Sequence, residues 1–272
     1  MPYAFRRLLL AKRLADHPIT DIRRRLELLR LRYTARYRQT TTRLLGPALT
    51  IADAPAFLFT FHEIFQQEVY RFVSRNPRPI IIDGGANIGL SAIYFRKLYP
   101  QSHIIAFEPD PDHFALLRKN LRAFGYHDIE TRNEALWVQA GEHSFLRDGA
   151  EAGRLARFSD QATQKVSCVR LKEHLKHPVD MLKLDIEGAE TDVLLDCRDA
   201  LTNVAHIFVE YHSFAHEKQR IQELLGTLID AGFRLQMLPA RSLSQPFIRR
   251  DLLLGMDLQL NIFGYRDQSQ PN

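Results

Sequence analysis

From residue 80 onward, short apolar runs alternate with stretches that have helical spacing. The runs predicted as strands cover residues 80–82, 103–107, 129–133, 166–169, 181–185, 206–211, 233–237 and 258–265. Helices are predicted over residues 91–98, 111–124, 191–197 and 217–231. This alternation indicates an α/β fold in which a mostly parallel, doubly wound sheet is covered by helices on both faces. Ligands of such sheets bind beyond the carboxyl ends of the strands.

Before residue 80 the pattern is mainly helical. Apolar side chains at helical spacing predict a helix over residues 57–73, after a turn and a short extended piece over residues 46–54. Residues 1–45 predict two helices with a break at Pro18. We therefore divide the chain into a helical N-terminal arm, residues 1–50, and an α/β domain, residues 51–272.

Charge is distributed unevenly along the chain. Residues 1–45 hold twelve Lys and Arg against three Asp and Glu, a net charge of +9, so the remainder carries −4 of the total of +5. Such an arm either packs its leucines on the body or on the second subunit of a homodimer, or it binds an anionic membrane surface or another polyanion. A transit peptide would share this composition. We expect no nucleic acid partner.

No apolar segment approaches the roughly 18 residues that indicate a membrane span. The apolar run at residues 8–11 is too short for a secretory signal. The two cysteines, Cys168 and Cys197, match no metal or redox spacing. We therefore expect reduced thiols and a cytoplasmic protein.

A glycine-rich loop follows the first strand of the alternating region. Its residues are Asp83, Gly84, Gly85, Ala86, Asn87, Ile88 and Gly89. Glycine lets the backbone turn sharply and approach a ligand closely, and the start of the next helix offers unpaired N–H groups. Gly84, Ala86 and Gly89 stand at the glycine positions of the dinucleotide-binding fingerprint. The loop indicates a nucleotide-like cofactor, although a purely structural turn would have the same form.

The next strand ends in Phe107-Glu108-Pro109, which puts Glu108 nineteen residues after Gly89. A carboxylate at this position can accept hydrogen bonds from a ribose diol, or it can cap the helix that follows. NAD and S-adenosylmethionine both contain a ribose. Glu108 therefore does not distinguish between them.

Taken in order, the motifs resemble the FkbM family of S-adenosylmethionine-dependent methyltransferases. The resemblance covers roughly residues 57–236. It rests on His62-Glu63-Ile64-Phe65, the glycine loop, Phe107-Glu108-Pro109-Asp110, Asn133-Glu134-Ala135-Leu136 and the segment from Val179 to Glu190. The resemblance implies a class I, Rossmann-like methyltransferase fold that ends in an antiparallel C-terminal strand. It also implies S-adenosylmethionine as methyl donor and a hydroxyl acceptor on a sugar, glycan or secondary metabolite.

The resemblance also implies where the cofactor binds. Asp83 and Gly85 would line its methionine part, with Gly84, Ala86 and Asn87 in the same loop; Glu108 would bind the ribose; Asn133 and Glu134 would lie near the adenine.

Methylation of an alcohol calls for a base, because a hydroxyl is a poor nucleophile until its proton is shared. Asp185 and His212 stand at two neighbouring strand ends, and histidine titrates near neutral pH. Lys183 could hold a substrate oxygen or pair with Asp185. We predict His212, Asp185 and Lys183 as the catalytic residues. Asp185, Glu187 and Glu210 could also supply oxygen ligands to magnesium, but their spacing does not require a metal and we assign none.

The connection between the last two strands, about twenty residues, is long enough to overhang the acceptor site. Two other functions stay open at this point. One is an NAD-linked oxidoreductase on a similar fold. The other is a non-catalytic module that docks on a membrane or polyanion through the basic arm.

Overall fold

The computed structural model describes residues 18–148, 152–155, 164–240, 245–249 and 251–266. The strands are β1 (Thr40–Thr42), β2 (Leu49–Ile51), β3 (Ile80–Gly84), β4 (His103–Phe107), β5 (Glu130–Arg132), β6 (Ala135–Trp137), β7 (Gly141–Asp148), β8 (Ala152–Leu155), β9 (Gln164–Arg170), β10 (Val179–Leu184), β11 (Val204–Phe214), β12 (Arg234–Pro239) and β13 (Met256–Tyr265). The α-helices are α1 (Pro18–Arg32), α2 (Ala54–Phe61), α3 (Leu90–Leu98), α4 (Pro111–Ala123), α5 (Glu190–Cys197) and α6 (Ile221–Asp230). A π-helical turn follows α2 at His62–Gln66.

In the described part of the chain, seven strands form the main sheet in the order β12-β13-β11-β10-β3-β4-β5. Strands β5, β4, β3, β10 and β11 are parallel, whereas β13 runs antiparallel to both of its neighbours. The predicted sheet, mostly parallel with an antiparallel C-terminal strand, is confirmed. The chain leaves β3 for β4 on one side and returns to β10 on the other, so the strand order switches at β3. A ligand crevice is expected at the carboxyl ends of β3 and β10.

Helices cover both faces of the sheet. Successive residues of a strand point to opposite faces, and here Ile81 and Met181 pack with α2, α3 and α4 while Ile82 and Leu182 pack with α5 and α6. The same alternation places the polar side chains at the ends of β10 and β11 on the α2–α4 face. The core therefore directs these polar groups into the crevice.

The N-terminal region corrects one predicted helix. Residues 40–45 are not helical, because Thr40–Thr42 pairs antiparallel with Leu49–Ile51 in a hairpin. β-branched threonine favours a strand, and Gly46 turns the chain with a φ of 107°. α1 begins at Pro18, as predicted, and Leu31 attaches it to the core.

The helix predicted over residues 57–73 is also too long. The helical backbone stops at Gln66, and Glu68 then adopts a left-handed φ of 54°. Tyr70 and Phe72 are nevertheless buried. The apolar periodicity after residue 66 therefore reflects burial of an irregular segment rather than a helix.

A second, four-stranded sheet, in the order β6-β9-β7-β8, lies between β5 and β10 in the chain. Only β9 has a predicted counterpart, at residues 166–169. The first 17 residues of the arm lie outside the described residues, and the division of the chain at residue 50 stays a prediction. None of the described helices has both the length and the apolar character needed to cross a bilayer.

Asn120 joins the N-terminal hairpin to the glycine loop. Its side chain is fully buried; the oxygen accepts from the Thr50 backbone at 2.8 Å, and the nitrogen donates to the carbonyls of Thr50 and Ile88, both at 2.9 Å. A buried amide that satisfies three backbone groups cannot be removed without leaving them unpaired.

We expect Asn120→Ala to lower the free energy of unfolding by about 2–4 kcal/mol, because each unpaired buried group costs about 1–3 kcal/mol. Urea unfolding followed by circular dichroism measures the change. Lys119→Ala, at the exposed neighbouring position of α4, is the control and should stay within about 0.5 kcal/mol of wild type. Equal stability of the two variants would contradict the role given to Asn120.

Candidate functional site

A cavity of about 470 Å³ opens at the carboxyl ends of β3 and β10. Its floor includes Gly85, Ala86 and Asn87 of the glycine loop and the acidic side chains of Asp185, Glu187 and Glu210. Its walls come from both ends of the chain, through Arg36, Ala52, Asp53, Pro55, Ala56, Phe57, Phe59, Thr60, Glu63, Ile64, Tyr70, Ala240, Leu253, Leu254, Met256 and Gln259. The cavity thus joins the predicted cofactor loop to Asp185 and Lys183, two of the three predicted catalytic residues, and to Glu187 and Glu210. Leu253 and Leu254 show that the long connection between β12 and β13 overhangs it, as predicted.

The glycine loop packs directly on the end of β10. Gly85 has a φ of 76°, and a Cβ atom there would lie 1.8 Å from the carbonyl oxygen of Asp185. The N–H groups of Gly85 and Ala86 both donate to the carbonyl of Phe107, at 3.0 and 2.9 Å. Gly89 has a left-handed φ of 95°, and a Cβ atom there would meet the end of the Leu117 side chain at 2.8 Å. The loop geometry requires glycine at both positions.

Glu108 is buried beside the glycine loop. One of its carboxylate oxygens accepts from the Asn87 N–H and the other from the Asp110 N–H, both at 2.8 Å. Burial raises the pKa of this carboxyl group to about 8. Each oxygen keeps a second acceptor position, so the side chain can still bind the hydroxyls of a ribose.

Asn133 and Glu134 lie on the same side of the loop as Glu108. The Asn133 amide donates to the carbonyls of Glu108 and Pro109 at 2.8 and 3.0 Å. The Glu134 carboxylate has a buried oxygen with no hydrogen-bond partner among the described residues, and Arg132 is 3.6 Å away. A buried acceptor without a partner fits a ligand that donates a hydrogen bond, such as an adenine amine.

Asp83 and Lys183 lie underneath the glycine loop. The Lys183 ammonium donates to the carbonyls of Gly84 and Gly85 at 3.1 and 2.8 Å, and lies 3.4 Å from both Asp83 and Asp185. An ammonium has three donors, so these partners occupy it fully. Asp83, which is completely buried, also accepts from the Ser91 hydroxyl. The pairing of Lys183 with Asp185 is therefore observed, and no donor is left for a substrate oxygen.

Five acidic residues line the cavity: Asp53, Glu63, Asp185, Glu187 and Glu210. Burial raises the pKa of Glu187 to about 7 and that of Glu210 to about 8. Burial, with a contribution from Asp185, also raises the pKa of Glu63. Gln259 donates a short hydrogen bond to Glu210. Glu187 and Glu210 can therefore exchange protons near neutral pH.

His212 lies behind these carboxylates and does not line the cavity. Its Nδ1 is 3.0 Å from Glu190, and its Nε2 is 3.5 Å from Glu187 and 3.9 Å from Glu210. Burial alone would lower the pKa of the imidazole, but the three carboxylates outweigh burial and hold this pKa well above its ordinary value. A charged, buried imidazolium cannot take a proton directly from an acceptor. This position argues against His212 as the base.

Glu190 fixes this arrangement. Its carboxylate accepts from the N–H groups of Ile186 and Gly188, which close the turn after β10, as well as contacting His212. Glu190 is fully buried at the start of α5, where a negative charge is favoured. It orients both the turn that carries Asp185 and Glu187 and the imidazole behind them.

Asp185, Glu187 and His212 could also hold a divalent cation. Their ligand atoms all lie within 4.8 Å of one another, and two carboxylates with an imidazole are a common donor set. Glu190 on the other ring nitrogen would orient the imidazole. The possible magnesium ligands named from the sequence were Asp185, Glu187 and Glu210. In the structure His212 takes the place of Glu210 in the set of ligand atoms that lie together.

Sequence reasoning assigned no site role to individual cavity residues before β3 or after β12, although it quoted Glu63 within the family motif and expected the β12–β13 connection to overhang the site. Glu63 lies on the π-helical turn, a feature that often marks functional sites, but the turn is invisible in the apolar periodicity. Arg36 pairs with Asp53 at the cavity wall. Gln259 pairs with His212 in the antiparallel register of β11 and β13. A prediction of this register would have placed Gln259 beside the site.

Comparison with known proteins gives a consistent result. Residues 83–235 match the family described as the methyltransferase FkbM domain. Methyltransferase sdnD of Sordaria araneosa is 29% identical over 174 residues, covering 50% of this chain and 67% of the relative. The 2-O-methyltransferase NoeI of Sinorhizobium fredii is 26% identical over 195 residues, covering 64% of this chain and 76% of the relative.

Among solved structures, methyltransferase FkbM from Methylobacillus flagellatus has a similar fold, with a TM-score of 0.50 and 14% sequence identity. The similarity covers 74% of this chain and 46% of the solved one. This chain therefore spans about half of the solved protein and about two thirds of the fungal relative.

We expect Glu108 to make the stability of the ligand-free protein fall as pH rises. Its pKa is raised in the folded state from 4.5 to about 8, so between these values the folded protein binds the proton more tightly than the unfolded chain. Glu108→Gln should therefore lose less stability than wild type across this pH range, as measured by urea unfolding at its two ends. The exposed Glu142→Gln is the control and should parallel wild type. If the stability of both variants changed with pH as that of wild type does, Glu108 would not be a buried carboxyl that is protonated in the folded state.

Proposed function

This chain belongs to the FkbM family of methyltransferases, and from that premise we propose that it transfers a methyl group from S-adenosylmethionine to a hydroxyl oxygen. The acceptor class that we propose is a sugar, glycan or secondary metabolite. The observation that carries the proposal is the shared cavity, which brings Gly85–Asn87 of the glycine loop together with the carboxylates of Asp185, Glu187 and Glu210.

The described residues fit S-adenosylmethionine. Glu108 keeps free acceptor positions beside the loop, Glu134 has a buried oxygen without a hydrogen-bond partner, and Gly85 lets the loop lie flat at the cavity floor. The cofactor would supply an electrophilic methyl group on a sulfonium. The residues of the chain would hold the ribose at Glu108 and the adenine near Asn133 and Glu134.

An oxygen acceptor is supported by the chemistry of the cavity. Carboxylates at its floor can accept hydrogen bonds from hydroxyl groups, and the relative NoeI is by name a 2-O-methyltransferase. Apolar side chains of Phe57, Ile64 and Met256 line the walls. Such walls exclude water and hold the acceptor in line with the methyl group, which is the main way to accelerate a displacement of this kind.

Glu210 is the proton acceptor that we propose. Its carboxylate lines the cavity, and its pKa of about 8 suits a base that works near neutral pH. Asp185 is held by Lys183 at 3.4 Å and is better suited to positioning. The bound cofactor would supply its methyl group to the acceptor oxygen, and Glu210 would take up the hydroxyl proton released from that oxygen. His212, charged and buried behind Glu210, stabilises its ionised form.

Isothermal titration calorimetry tests the cofactor. Wild type should bind S-adenosylmethionine or its demethylated product, and should not bind NAD. Glu108→Ala should weaken this binding by at least about tenfold, since it removes the carboxyl oxygens that would bond the ribose hydroxyls. Glu142→Ala, which removes an exposed carboxylate, should bind as wild type does. Binding of NAD in place of S-adenosylmethionine would overturn the proposal.

Transfer of a labelled methyl group to a panel of hydroxylated glycans and metabolites tests the reaction. With the acceptor found there, Glu210→Gln should lower kcat by about 10²–10⁴-fold, the usual contribution of a positioned base, while cofactor affinity stays near that of wild type. His212→Gln should shift the pH profile of kcat and cost less, because it acts through Glu210. If Glu210→Gln keeps full turnover, Glu210 is not the base.

A further inference from the structure

α1 carries a row of exposed apolar side chains. Ile22, Leu26, Leu29 and Tyr33 are 59%, 60%, 50% and 80% exposed. Spacings of four, three and four residues put them on one helix face. Leu31, on the opposite face, is fully buried in the core. The body therefore holds the helix through Leu31 and leaves the apolar row pointing outward.

Arginine side chains border this row on both sides. A helix turns by about 100° per residue, so Arg23 and Arg30 lie about 70–90° to one side of the row and Arg25 and Arg32 about 70–90° to the other. All four are exposed, and Arg30 also pairs with Glu27 at 2.8 Å, which leaves Arg23, Arg25 and Arg32 as the main candidates for contact with lipid phosphates. Long cationic side chains beside an apolar strip are typical of helices that lie in a membrane interface, where they reach up to the phosphates.

The charge of the surrounding segment has the same sign. Residues 18–45 contain eight arginines and two carboxylates, Asp21 and Glu27. Residues 1–17 add four cationic residues against Asp16. An anionic surface is therefore attracted to the arm as a whole, whereas the rest of the chain carries a net negative charge.

We propose that α1 is a docking surface for an anionic membrane, with Ile22, Leu26, Leu29 and Tyr33 inserted at the level of the acyl chains and the bordering arginines at the lipid phosphates. A soluble polyanion would use the arginines but would leave the apolar row in water. A second copy of the chain would cover the row but would bring two arginine-bordered surfaces together. Only an anionic bilayer satisfies both features of the helix.

The position of α1 relative to the cavity gives this docking a consequence. Arg36, four residues beyond the end of α1, lines the cavity, as do Leu253 and Leu254 of the β12–β13 connection. The proposed docking surface is therefore joined to the cavity wall by a short segment of chain. The docking itself does not depend on the proposed methyl transfer.

Co-sedimentation of the full chain with vesicles tests the proposal. The vesicles are equimolar phosphatidylcholine and phosphatidylglycerol, compared with pure phosphatidylcholine. Wild type should bind the anionic vesicles at least about tenfold more tightly than the neutral ones, since roughly 1 kcal/mol per basic residue is gained near an anionic surface. The double variant Leu26→Gln, Leu29→Gln should lose at least about tenfold in binding, because both exposed leucines would otherwise be buried in lipid.

The control is Ile229→Gln, which changes an apolar side chain of α6 that is 57% exposed and should bind vesicles as wild type does. Circular dichroism should show all variants folded, since no core residue is changed. Equal vesicle binding by wild type and the double variant would overturn the proposal, as would wild-type binding to soluble heparin but not to vesicles. If the double variant changed the molar mass of the protein in light scattering but bound vesicles as wild type does, the apolar row would be a contact with a second copy of the chain. This result would also overturn the proposal. None of these measurements needs a cofactor or acceptor, so their outcome is separate from that of methyl transfer.

Discussion

The contact between Gly85 and the end of β10 is the constraint on which the site depends. The loop after β3 can lie against the carbonyl of Asp185 only because residue 85 has no side chain, since a Cβ atom would stand 1.8 Å from that oxygen. Lys183 stabilises the same contact by donating hydrogen bonds to the carbonyls of Gly84 and Gly85. Because the loop is the predicted cofactor site and β10 leads into Asp185 and Glu187, this contact sets the distance between the predicted cofactor site and these carboxylates.

Packing the loop so closely concentrates negative charge around β10 and β11. Asp83, Asp185, Glu187 and Glu210 are compensated by two buried cations, Lys183 and His212. Burial makes each ionised carboxylate costly, which is why the pKa values of Glu187 and Glu210 rise to about 7 and 8. The compact loop and the poised base are thus two results of the same packing, and His212 serves this balance from behind the cavity.

The sequence predicted the α/β sheet well, and it predicted that the glycine loop and the acidic strand ends share one edge of that sheet, because glycines and acidic residues at strand ends have local causes that can be read from spacing. It predicted less where a buried segment is neither a regular helix nor a regular strand. The apolar positions of Tyr70 and Phe72 continue a helical pattern after the helix has ended at Gln66. Strands β6, β7 and β8 have no spacing of apolar residues from which they could be predicted. The orientation of His212 depends on Glu190, a partner 22 residues away in sequence that only the folded chain brings within 3.0 Å.

The division between matched and unmatched residues explains why the acceptor differs within such a family. Residues 83–235, which match it, contain the glycine loop and the carboxylates of Asp185, Glu187 and Glu210. Glu63 and Arg36 come from before this segment, and Leu253 and Gln259 from after it. The cavity walls are therefore made largely by residues outside the matched segment, and the floor by residues within it. A similar floor under different walls keeps the transfer chemistry while changing what is methylated.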